Sequence, residues 1–351
     1  MVGDMKAAVL FQKQDIRCVD MEEPCVKHGE VKVRIAAVGI CGSDVPRYME
    51  GRVHAFPLVL GHEFSGVVAE AGEGVSSVKP GDHVVGVPLL PCGTCPDCQK
   101  GNFALCRHYS FVGSRQQGAL AEYVVLPEQN VVKIDAGIPL EQAVYFETSS
   151  VALHALKHVD YRGGGYVAVL GGGTIGLLAL QWARILGAIK VVVIGRSHEH
   201  LAVAKRLGAD AVFSSLDQSF IEQALDVTGG HGFDYIFEAA GAVQTMHMAF
   251  PLAASKARGC FIGTPVKDLR FSPSEWELMN RREFTLTGSW MSYSAPFPGD
   301  EWTLTAHFLA SGQLRIDPGM TYMTFPLEKV AEAFELFRER DKVKGRVVVV
   351  L

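Results

Sequence analysis

The sequence lacks the features that direct a protein to nucleic acid, to a membrane or out of the cell. Its formal net charge is only −5 over 351 residues, which gives no basic surface for nucleic acid or anionic lipid. The uncharged stretch at 166–183 is interrupted by glycines and is marginal in length for a transmembrane helix. The N-terminal residues show no pattern of a secretory signal. We therefore expect a cytoplasmic protein without membrane or nucleic-acid partners.

The eight cysteines are not spread along the chain as a disulfide framework would be. Four of them crowd into residues 92–106, and the others stand apart. In a chain of this length without a signal peptide, such clustering favours a metal site over disulfides. Internal repeats and low-complexity tracts are also lacking.

The length and the order of elements predict two domains. Residues 1–150 read as short β-branched strands separated by turns, which predicts a β-rich, barrel-like domain. Across residues 151–290, apolar strands alternate with amphipathic helices, which predicts a doubly wound parallel sheet. Residues 291–351 resume a mixed pattern, and we expect their last strand to pair back with the first domain. The predicted fold class is α/β, with 1–150 and 291–351 forming one domain.

The crowded cysteines have the spacing of a metal-binding lobe. Four thiolates on tight turns can enclose a tetrahedral Zn²⁺ and leave no position for a substrate, so we expect a structural zinc. An iron–sulfur cluster, a redox disulfide pair and unliganded thiols are the alternatives. The four residues are Cys92, Cys95, Cys98 and Cys106.

A second set of candidate ligands is dispersed in the first domain. Cys41 lies in GICGSD, His62 and Glu63 lie in LGHEFSG, and Glu147 lies in YFETSS. Each alone is more typical of a packed core, but together they offer a thiolate, an imidazole and two carboxylates. Three protein ligands with one open position are what a catalytic zinc requires, and such a zinc polarises a carbonyl or an alcohol.

Two polar residues follow Cys41 closely. Ser43 is expected to carry the alcohol proton outward, and Asp44 to accept a hydrogen bond from the His62 ring. The alternative for both is a simple turn cap.

A dinucleotide-binding motif opens the second domain. In YVAVLGGGTIG, Gly171 permits a tight turn, Gly173 lets a pyrophosphate approach the backbone, and Gly176 lets helix and strand pack closely. The helix begins at Thr174 and Ile175, whose amides point at the phosphates.

The end of the next strand favours NADP(H) over NAD(H). Where a carboxylate would bind the ribose hydroxyls of NAD, this chain has Gly195 followed by Arg196 and Ser197. The guanidinium of Arg196 can bind a 2′-phosphate, although it can also simply point to solvent. Arg346, near the C-terminus, is a candidate for a second contact to coenzyme phosphate.

The motifs occur together in the order of a known family. The chain resembles the zinc-containing medium-chain dehydrogenases along essentially its whole length, through CGSD, GHEFSG, the cysteine lobe, the Phe146–Glu147 pair and GGGTIG. The segments at 87–98, 109–123 and 287–302 are similar to its polyol dehydrogenase branch. The resemblance implies a GroES-like catalytic domain, a Rossmann coenzyme domain and a homodimer or homotetramer. It assigns Cys41, His62 and Glu147 to the catalytic zinc, and Glu63 to a carboxylate that can enter its coordination.

The chain departs from the family pattern at three places. Gly195–Arg196 replaces the acidic residue of NAD-using members. Thr148 stands where a proline usually follows the glutamate. Pro46 occupies the place of a relay histidine in many alcohol dehydrogenases, so a proton path must run through Ser43 and coenzyme ribose or water.

Two arginines and two aromatic residues are candidates for substrate contact. Arg47 and Arg115 are expected to bind a substrate phosphate if both face the cleft, although surface arginines are common. Trp290 and Tyr293 are expected to close the substrate end of the cleft, or else to lie in the core or a subunit contact.

These features predict a zinc-dependent enzyme that transfers hydride between NADP(H) and a secondary alcohol of a polyol or polyol phosphate. A reductase of simpler ketones or aldehydes shares every motif. The alternative of another class is a non-catalytic sensor that binds zinc and dinucleotide.

Overall fold

The protein is described from a computed structural model that covers residues 3–351, the side chain of Arg340 excepted. The chain forms two compact units. The first unit consists of Met1–Glu147, Tyr293–Ser311 and Thr321–Leu351, and the second of Thr148–Ser292 and Gly312–Met320.

The strands of the described chain are as follows. They are β1 (Asp4–Gln12), β2 (Asp15–Glu22), β3 (Glu30–Ile40), β4 (Leu58–Val59), β5 (Glu63–Ala71), β6 (His83–Gly86), β7 (Leu89–Leu90), β8 (Ser110–Phe111), β9 (Tyr123–Pro127), β10 (Val131–Lys133), β11 (Tyr166–Leu170), β12 (Lys190–Gly195), β13 (Ala211–Ser214), β14 (Phe233–Glu238), β15 (Ala253–Phe261), β16 (Thr285–Gly288), β17 (Thr321–Pro326) and β18 (Arg346–Val350).

The helices of the described chain are α1 (Asp44–Glu50), α2 (Pro96–Gln99), α3 (Leu140–Ala143), α4 (Phe146–His158), α5 (Thr174–Ile185), α6 (His198–Arg206), α7 (Phe220–Asp226), α8 (Val243–Leu252), α9 (Pro273–Arg282), α10 (Asp300–Ala310) and α11 (Val330–Glu335). Short 3-10 turns occur at Phe103–Leu105, Glu128–Asn130, Pro318–Met320, Leu327–Lys329 and Leu336–Lys342.

The first unit is built mainly from antiparallel strands. One sheet has the order β2-β1-β4, and a larger one runs β10-β6-β5-β3-β18-β17 with β9 also paired to β3. Strand β3 lies between β5 and β18, and its side chains Val31, Val33, Ile35 and Val38 are buried. The predicted return of the last strand is confirmed, since Val347 pairs with Ile40 and Val350 with Ala37.

The second unit is the predicted doubly wound sheet. Its parallel strands run in the order β13-β12-β11-β14-β15-β16, so the winding direction reverses between β11 and β14. The buried strands are rich in valine and isoleucine, as strands covered by helices on both faces must be. In such a sheet the carboxyl ends of the strands at the reversal form the ligand crevice.

Residues Gly312–Met320 belong to the second unit, whereas the sequence pattern predicts all of 291–351 in the first domain. Side-chain contacts explain the difference. Gln181 on α5 bonds to both the backbone N–H and the carbonyl of Arg315, and Arg206 on α6 pairs with Asp317 at 2.7 Å. These contacts join residues distant in sequence, so local patterns did not reveal them.

Helices α8 and α9 lie within the predicted strand–helix alternation at 151–290. Helix α9 begins with a capping box in which Ser272 and Glu275 satisfy each other's backbone amides. Helix α11 is flanked by 3-10 turns on both sides.

Candidate active site

The four clustered cysteines come together as the spacing predicts. Their sulfur atoms all lie within 4.8 Å of one another, and those of Cys92 and Cys98 are 4.0 Å apart. Zinc–sulfur bonds of about 2.3 Å in a tetrahedron require sulfur–sulfur distances of about 3.8 Å, so the donor set fits a zinc ion. A disulfide needs about 2 Å, and all eight cysteines are free thiols. Four protein sulfurs leave no position for a substrate.

The lobe is shaped by short turns and peptide hydrogen bonds. Cys95 precedes α2 with Pro96 in its first turn, and its N–H donates to the Cys92 sulfur at 3.3 Å. The backbone N–H groups of Cys95 and Thr94 lower the pKa of the Cys92 thiol to about 6. Burial instead raises the pKa of Cys98 to about 12. The peptide groups thus favour a thiolate at Cys92 before any metal binds.

The second predicted set also converges. Donor atoms of Cys41, His62 and Glu63 lie within 4.8 Å of one another. Cys41 follows the end of β3, and His62 and Glu63 stand where β5 begins beside it, so the β3–β5 pairing brings them together. His62 and Glu63 are buried. Sulfur, nitrogen and oxygen donors of this kind suit zinc, and three of them leave one tetrahedral position unfilled.

Asp44 connects two of these residues. Its Oδ2 accepts a hydrogen bond from the peptide N–H of Cys41 at 3.1 Å, and its Oδ1 faces Nδ1 of His62 at 3.4 Å. The other ring nitrogen, Nε2, is thereby left for a metal. Asp44 therefore does more than cap a turn.

The charges of the centre shift one another's proton affinities. Burial alone would raise the pKa of Cys41, but the neighbouring His62 lowers that pKa to about 6. Burial would lower the pKa of His62, but Asp44 holds it well above its usual value. Burial raises the pKa of Glu63 to about 8 even though the guanidinium of Arg346 opposes the shift. The arrangement favours a thiolate at Cys41.

Glu147 lies just outside the compact group. It stands in the first turn of α4, and burial followed by the Glu63 carboxylate raises its pKa to about 7. The ligand group found within the described residues contains Glu63 and not Glu147. The structure therefore places Glu147 in the electrostatic surroundings of the centre, and its assignment as a ligand stays a prediction.

Arg346 lies in a different environment from the expected one. Its Nη1 pairs with Glu63 Oε2 at 2.9 Å and donates to the carbonyl of Ile40 at 3.2 Å. Its side chain is only 8% exposed. The sequence suggested a contact with coenzyme phosphate and did not predict this pair, because the two residues meet only when β3 pairs with both β5 and β18.

The other predicted site residues of the first unit include Ser43, Arg47 and Arg115, which contact different neighbours. Arg47 donates hydrogen bonds to the Asp44 carboxylate and to the Ser43 hydroxyl oxygen. The Ser43 side chain makes no capping hydrogen bond to the backbone of α1. Arg115 is exposed and lies 4.3 Å from the ring centre of Tyr109. These contacts assign neither arginine to a substrate.

The two aromatic candidates differ sharply in exposure. Tyr293 is 2% exposed and stacks between Phe297 and Trp302, with ring centres 6.1 Å apart in each pair. Burial, followed by the Glu147 carboxylate, raises its pKa. Trp290, in the second unit, is 56% exposed. Tyr293 is therefore part of a packed aromatic stack, as its alternative interpretation stated.

The glycine motif of the second unit has the geometry that a phosphate loop needs. Gly171 has a φ of +112°, and a Cβ on Gly176 would lie 1.8 Å from the carbonyl oxygen of Gly171. Only glycine fits at either position. A Cβ on Gly173, which precedes α5, would meet nothing within 4 Å, so space lies beside the helix N-terminus at Thr174 and Ile175.

The strand β12 ends as predicted. Gly195 is its last residue, Arg196 is exposed, and Ser197 caps α6 by accepting the N–H of His200 at 3.3 Å. Exposure of Arg196 is compatible with both of its interpretations.

Sequence reasoning missed a buried carboxylate at the end of β14. Glu238 is fully buried, and its Oε1 accepts hydrogen bonds from the N–H groups of Ala240 and Gly241, each at 2.9 Å, and from the Thr245 hydroxyl at 2.6 Å. It fixes the loop that follows β14, where the sheet winding reverses. An acidic residue ending an apolar strand before AAG was the available signal.

Comparison with known proteins gives the family. Residues 27–136 match the alcohol dehydrogenase GroES-like domain, and residues 174–308 match the zinc-binding dehydrogenase domain. Galactitol 1-phosphate 5-dehydrogenase of Escherichia coli K12 is 38% identical over 99% of this chain and 100% of its own length. This chain belongs to the zinc-binding alcohol dehydrogenase family. It is an alcohol or polyol dehydrogenase with a GroES-like and a Rossmann domain.

Other relatives support the same family and vary in their ligands. D-arabitol-phosphate dehydrogenase of Enterococcus avium is 31% identical over 93% of this chain and 92% of its own. The crystal structure of the Escherichia coli galactitol-1-phosphate dehydrogenase superposes with a TM-score of 0.92, covering 99% of this chain and 100% of the other. A zinc-binding dehydrogenase from Sinorhizobium meliloti, 28% identical with a TM-score of 0.89, is bound to NADP and covers 99% and 100%. An alcohol dehydrogenase from Escherichia coli CFT073, 27% identical with a TM-score of 0.87, is complexed with NADH and covers 99% of each chain.

Among the described residues, no helix has the length and apolar character that crossing a bilayer requires.

Proposed function

We propose that this dehydrogenase oxidises a secondary alcohol of a polyol phosphate to the ketone with NADP⁺ as hydride acceptor. In the reaction the C–H hydride passes to the nicotinamide, and the hydroxyl proton leaves to solvent. The observation that carries the proposal is the convergence of Cys41, His62 and Glu63 beside Asp44, with fewer donors than a closed zinc site has. The first unit supplies this catalytic centre, and the second unit supplies the coenzyme site.

The residues of the chain have distinct parts in this proposal. Cys41 and His62 hold the zinc, and Glu63 or Glu147 completes the set. When bound, zinc polarises the substrate oxygen and lowers the pKa of the alcohol. Asp44 fixes the ring of His62, and the hydroxyl of Ser43 passes the proton outward, because Pro46 cannot relay one. The fully thiolate lobe at Cys92–Cys106 takes no part in the reaction.

The coenzyme part rests on the second unit. The pyrophosphate lies in the space beside Gly173 at the N-terminus of α5. Gly195 offers no carboxylate to repel a 2′-phosphate, and the exposed guanidinium of Arg196 binds it. This is the basis for NADP(H), since the solved relatives bind either coenzyme.

The phosphate of the substrate is proposed from the relatives. Both curated relatives described above are named for phosphorylated polyols. Arg115, which is exposed, is the candidate contact for such a group, and Trp290 is the candidate aromatic wall. The active form is proposed to be a homodimer or homotetramer.

A substrate panel tests the proposal directly. The zinc-loaded enzyme is assayed on galactitol 1-phosphate, arabitol phosphate, the free polyols and simple secondary alcohols, each with NAD⁺ and NADP⁺. We expect the highest kcat/KM for a polyol phosphate with NADP⁺, and a shift toward NAD⁺ in Arg196→Ala. Preference for a simple alcohol would favour the alternative reductase, and unchanged coenzyme preference in Arg196→Ala would remove the argument for NADP(H).

A further inference from the structure

The Arg47 side chain makes hydrogen bonds within the first unit. Its Nη1 donates to Asp44 Oδ1 at 2.7 Å and to Ser43 Oγ at 3.1 Å. The Arg47 side chain is 18% exposed, whereas that of Asp44 is 1% exposed. Arg47 is therefore a positively charged partner of a buried carboxylate, with the i,i+3 spacing that α1 provides.

The carboxylate that Arg47 holds is the one that orders the metal centre. Asp44 Oδ2 accepts the peptide N–H of Cys41 at 3.1 Å, and Asp44 Oδ1 faces His62 Nδ1 at 3.4 Å. The same Oδ1 thus lies between the guanidinium and the imidazole. A rotation of the carboxylate away from either partner disturbs the other, because one atom serves both.

We propose that Arg47 is a positioning residue of the metal centre, which acts through Asp44 on His62 and Cys41. The inference rests on the proposed zinc site but not on the substrate. It differs from the phosphate-binding part that the sequence suggested for Arg47. Removing the guanidinium leaves the buried carboxylate without its cation, so the ring and the thiolate lose their fixed orientation. Residues that orient metal ligands in this way typically contribute about 10–100-fold to metal affinity.

The same segment provides a matched control. Arg52 lies just beyond α1 and pairs with Glu50, but their side chains are 72% and 51% exposed. Exposed pairs of this kind contribute little, and this one has no link to the centre. Arg52→Gln therefore removes the same charge a few residues away without touching Asp44.

The test compares Arg47→Gln, Arg47→Lys and Arg52→Gln in the full-length zinc enzyme. The rate of zinc release to a chelator is measured without substrate. The kinetic phase that is absent in Cys41→Ser reports release from the centre at Cys41. The cobalt-substituted enzymes are compared by their visible absorption. We expect release about tenfold faster and a shifted cobalt spectrum in Arg47→Gln, a smaller change in Arg47→Lys, and wild-type behaviour in Arg52→Gln.

Substrate kinetics separate this inference from phosphate binding. If Arg47 positions Asp44, Arg47→Gln changes kcat/KM similarly for a polyol phosphate and its free polyol. The inference would be overturned if Arg47→Gln released zinc at the wild-type rate and kept the wild-type cobalt spectrum, while its KM rose for the phosphorylated substrate alone. If Arg47→Gln does not fold, Arg47→Lys decides by the same measurements. Absence of turnover with every polyol would refute the proposed function while the zinc measurements still decide this one.

Discussion

The two sulfur-containing groups of the first unit hold their ligands by different means. The lobe of Cys92–Cys106 places four thiols on short turns and supports them with peptide N–H groups. The centre at Cys41 places one thiol and one imidazole at the ends of buried strands and surrounds them with charged side chains. Short turns are enough to hold four ligands when the bound metal replaces a hydrophobic core. A centre with an open position has fewer ligands, and the paired strands of the sheet hold them in place. We propose that the first group serves stability and the second serves chemistry.

The largest expected effect is a loss of turnover in Cys41→Ser without unfolding of the protein. Cys41→Ser removes a ligand of the open centre, so we expect turnover to fall by about 10³-fold or more, since metal polarisation is worth several kcal/mol. The thermal unfolding midpoint should change little, because Cys41 is only half-buried. Steady-state kinetics and calorimetry on one preparation measure both. Substantial residual turnover would contradict the assignment.

A substitution in the cysteine lobe should lower the stability of the protein. Cys98→Ser removes one of four sulfurs that form a small cluster, against which only Phe103 and Tyr109 pack among the described residues. We expect a loss of about 4 kcal/mol or more, as for other losses of a structural metal, and a fall of about 10 °C in the unfolding midpoint. Zinc content should fall by one equivalent per chain. An unchanged midpoint with turnover lost would reverse the comparison between the two groups.

A smaller change sharpens the comparison without removing a ligand. Gly101 has a φ of +79°, and a Cβ there would lie 2.7 Å from the Cβ of Ala295. Gly101→Ala should therefore cost about 1–2 kcal/mol, measured by chemical denaturation, with turnover unchanged. Gly93→Ala is the control, because Gly93 also has a positive φ, +72°, but nothing lies within 4 Å of its Cβ position. Equal costs would show that the contact with Ala295 contributes nothing.

The smallest effect is a difference in thiol reactivity after zinc removal. Peptide N–H groups lower the pKa of Cys92 to about 6, whereas burial raises that of Cys98 to about 12. At pH 7.5 the thiolate predominates at Cys92 and the thiol at Cys98, so iodoacetamide should modify Cys92 first. The rate at Cys92 should fall as the pH drops through about 6. Peptide mass spectrometry measures both rates, and equal rates would contradict the proposed influence of the turns.

Local sequence patterns predicted the elements that carry the site. The strand at β3, the β11–α5–β12 unit and the convergence of the four cysteines follow from β-branched runs, a glycine-rich turn and Cys-x2-Cys spacing. Cys41, His62 and Glu63 also belong to one predicted group, whose fourth member, Glu147, lies outside the compact set. For the strand, the β11–α5–β12 unit and the cysteine lobe, the residues that determine the structure are close neighbours in sequence.

Contacts between distant residues could not be predicted in this way. The pair of Arg346 with Glu63 depends on which strands become neighbours, and the return of Gly312–Met320 depends on side chains of α5 and α6. Nothing in the sequence showed that Arg47 would bond to Asp44 rather than face a ligand. Glu238 was overlooked because a strand-ending glutamate does not by itself reveal that its carboxylate is buried.

Zinc content and turnover measured on the same sample of His62→Ala test the central claim most directly. His62 is a buried member of the proposed open centre, and the four clustered cysteines form a separate group. We expect a folded His62→Ala protein that holds one zinc per chain and has no measurable dehydrogenase activity, against two zinc ions per chain in the active wild type. Two zinc ions retained, or turnover retained with one, would contradict the assignment of catalysis to this centre.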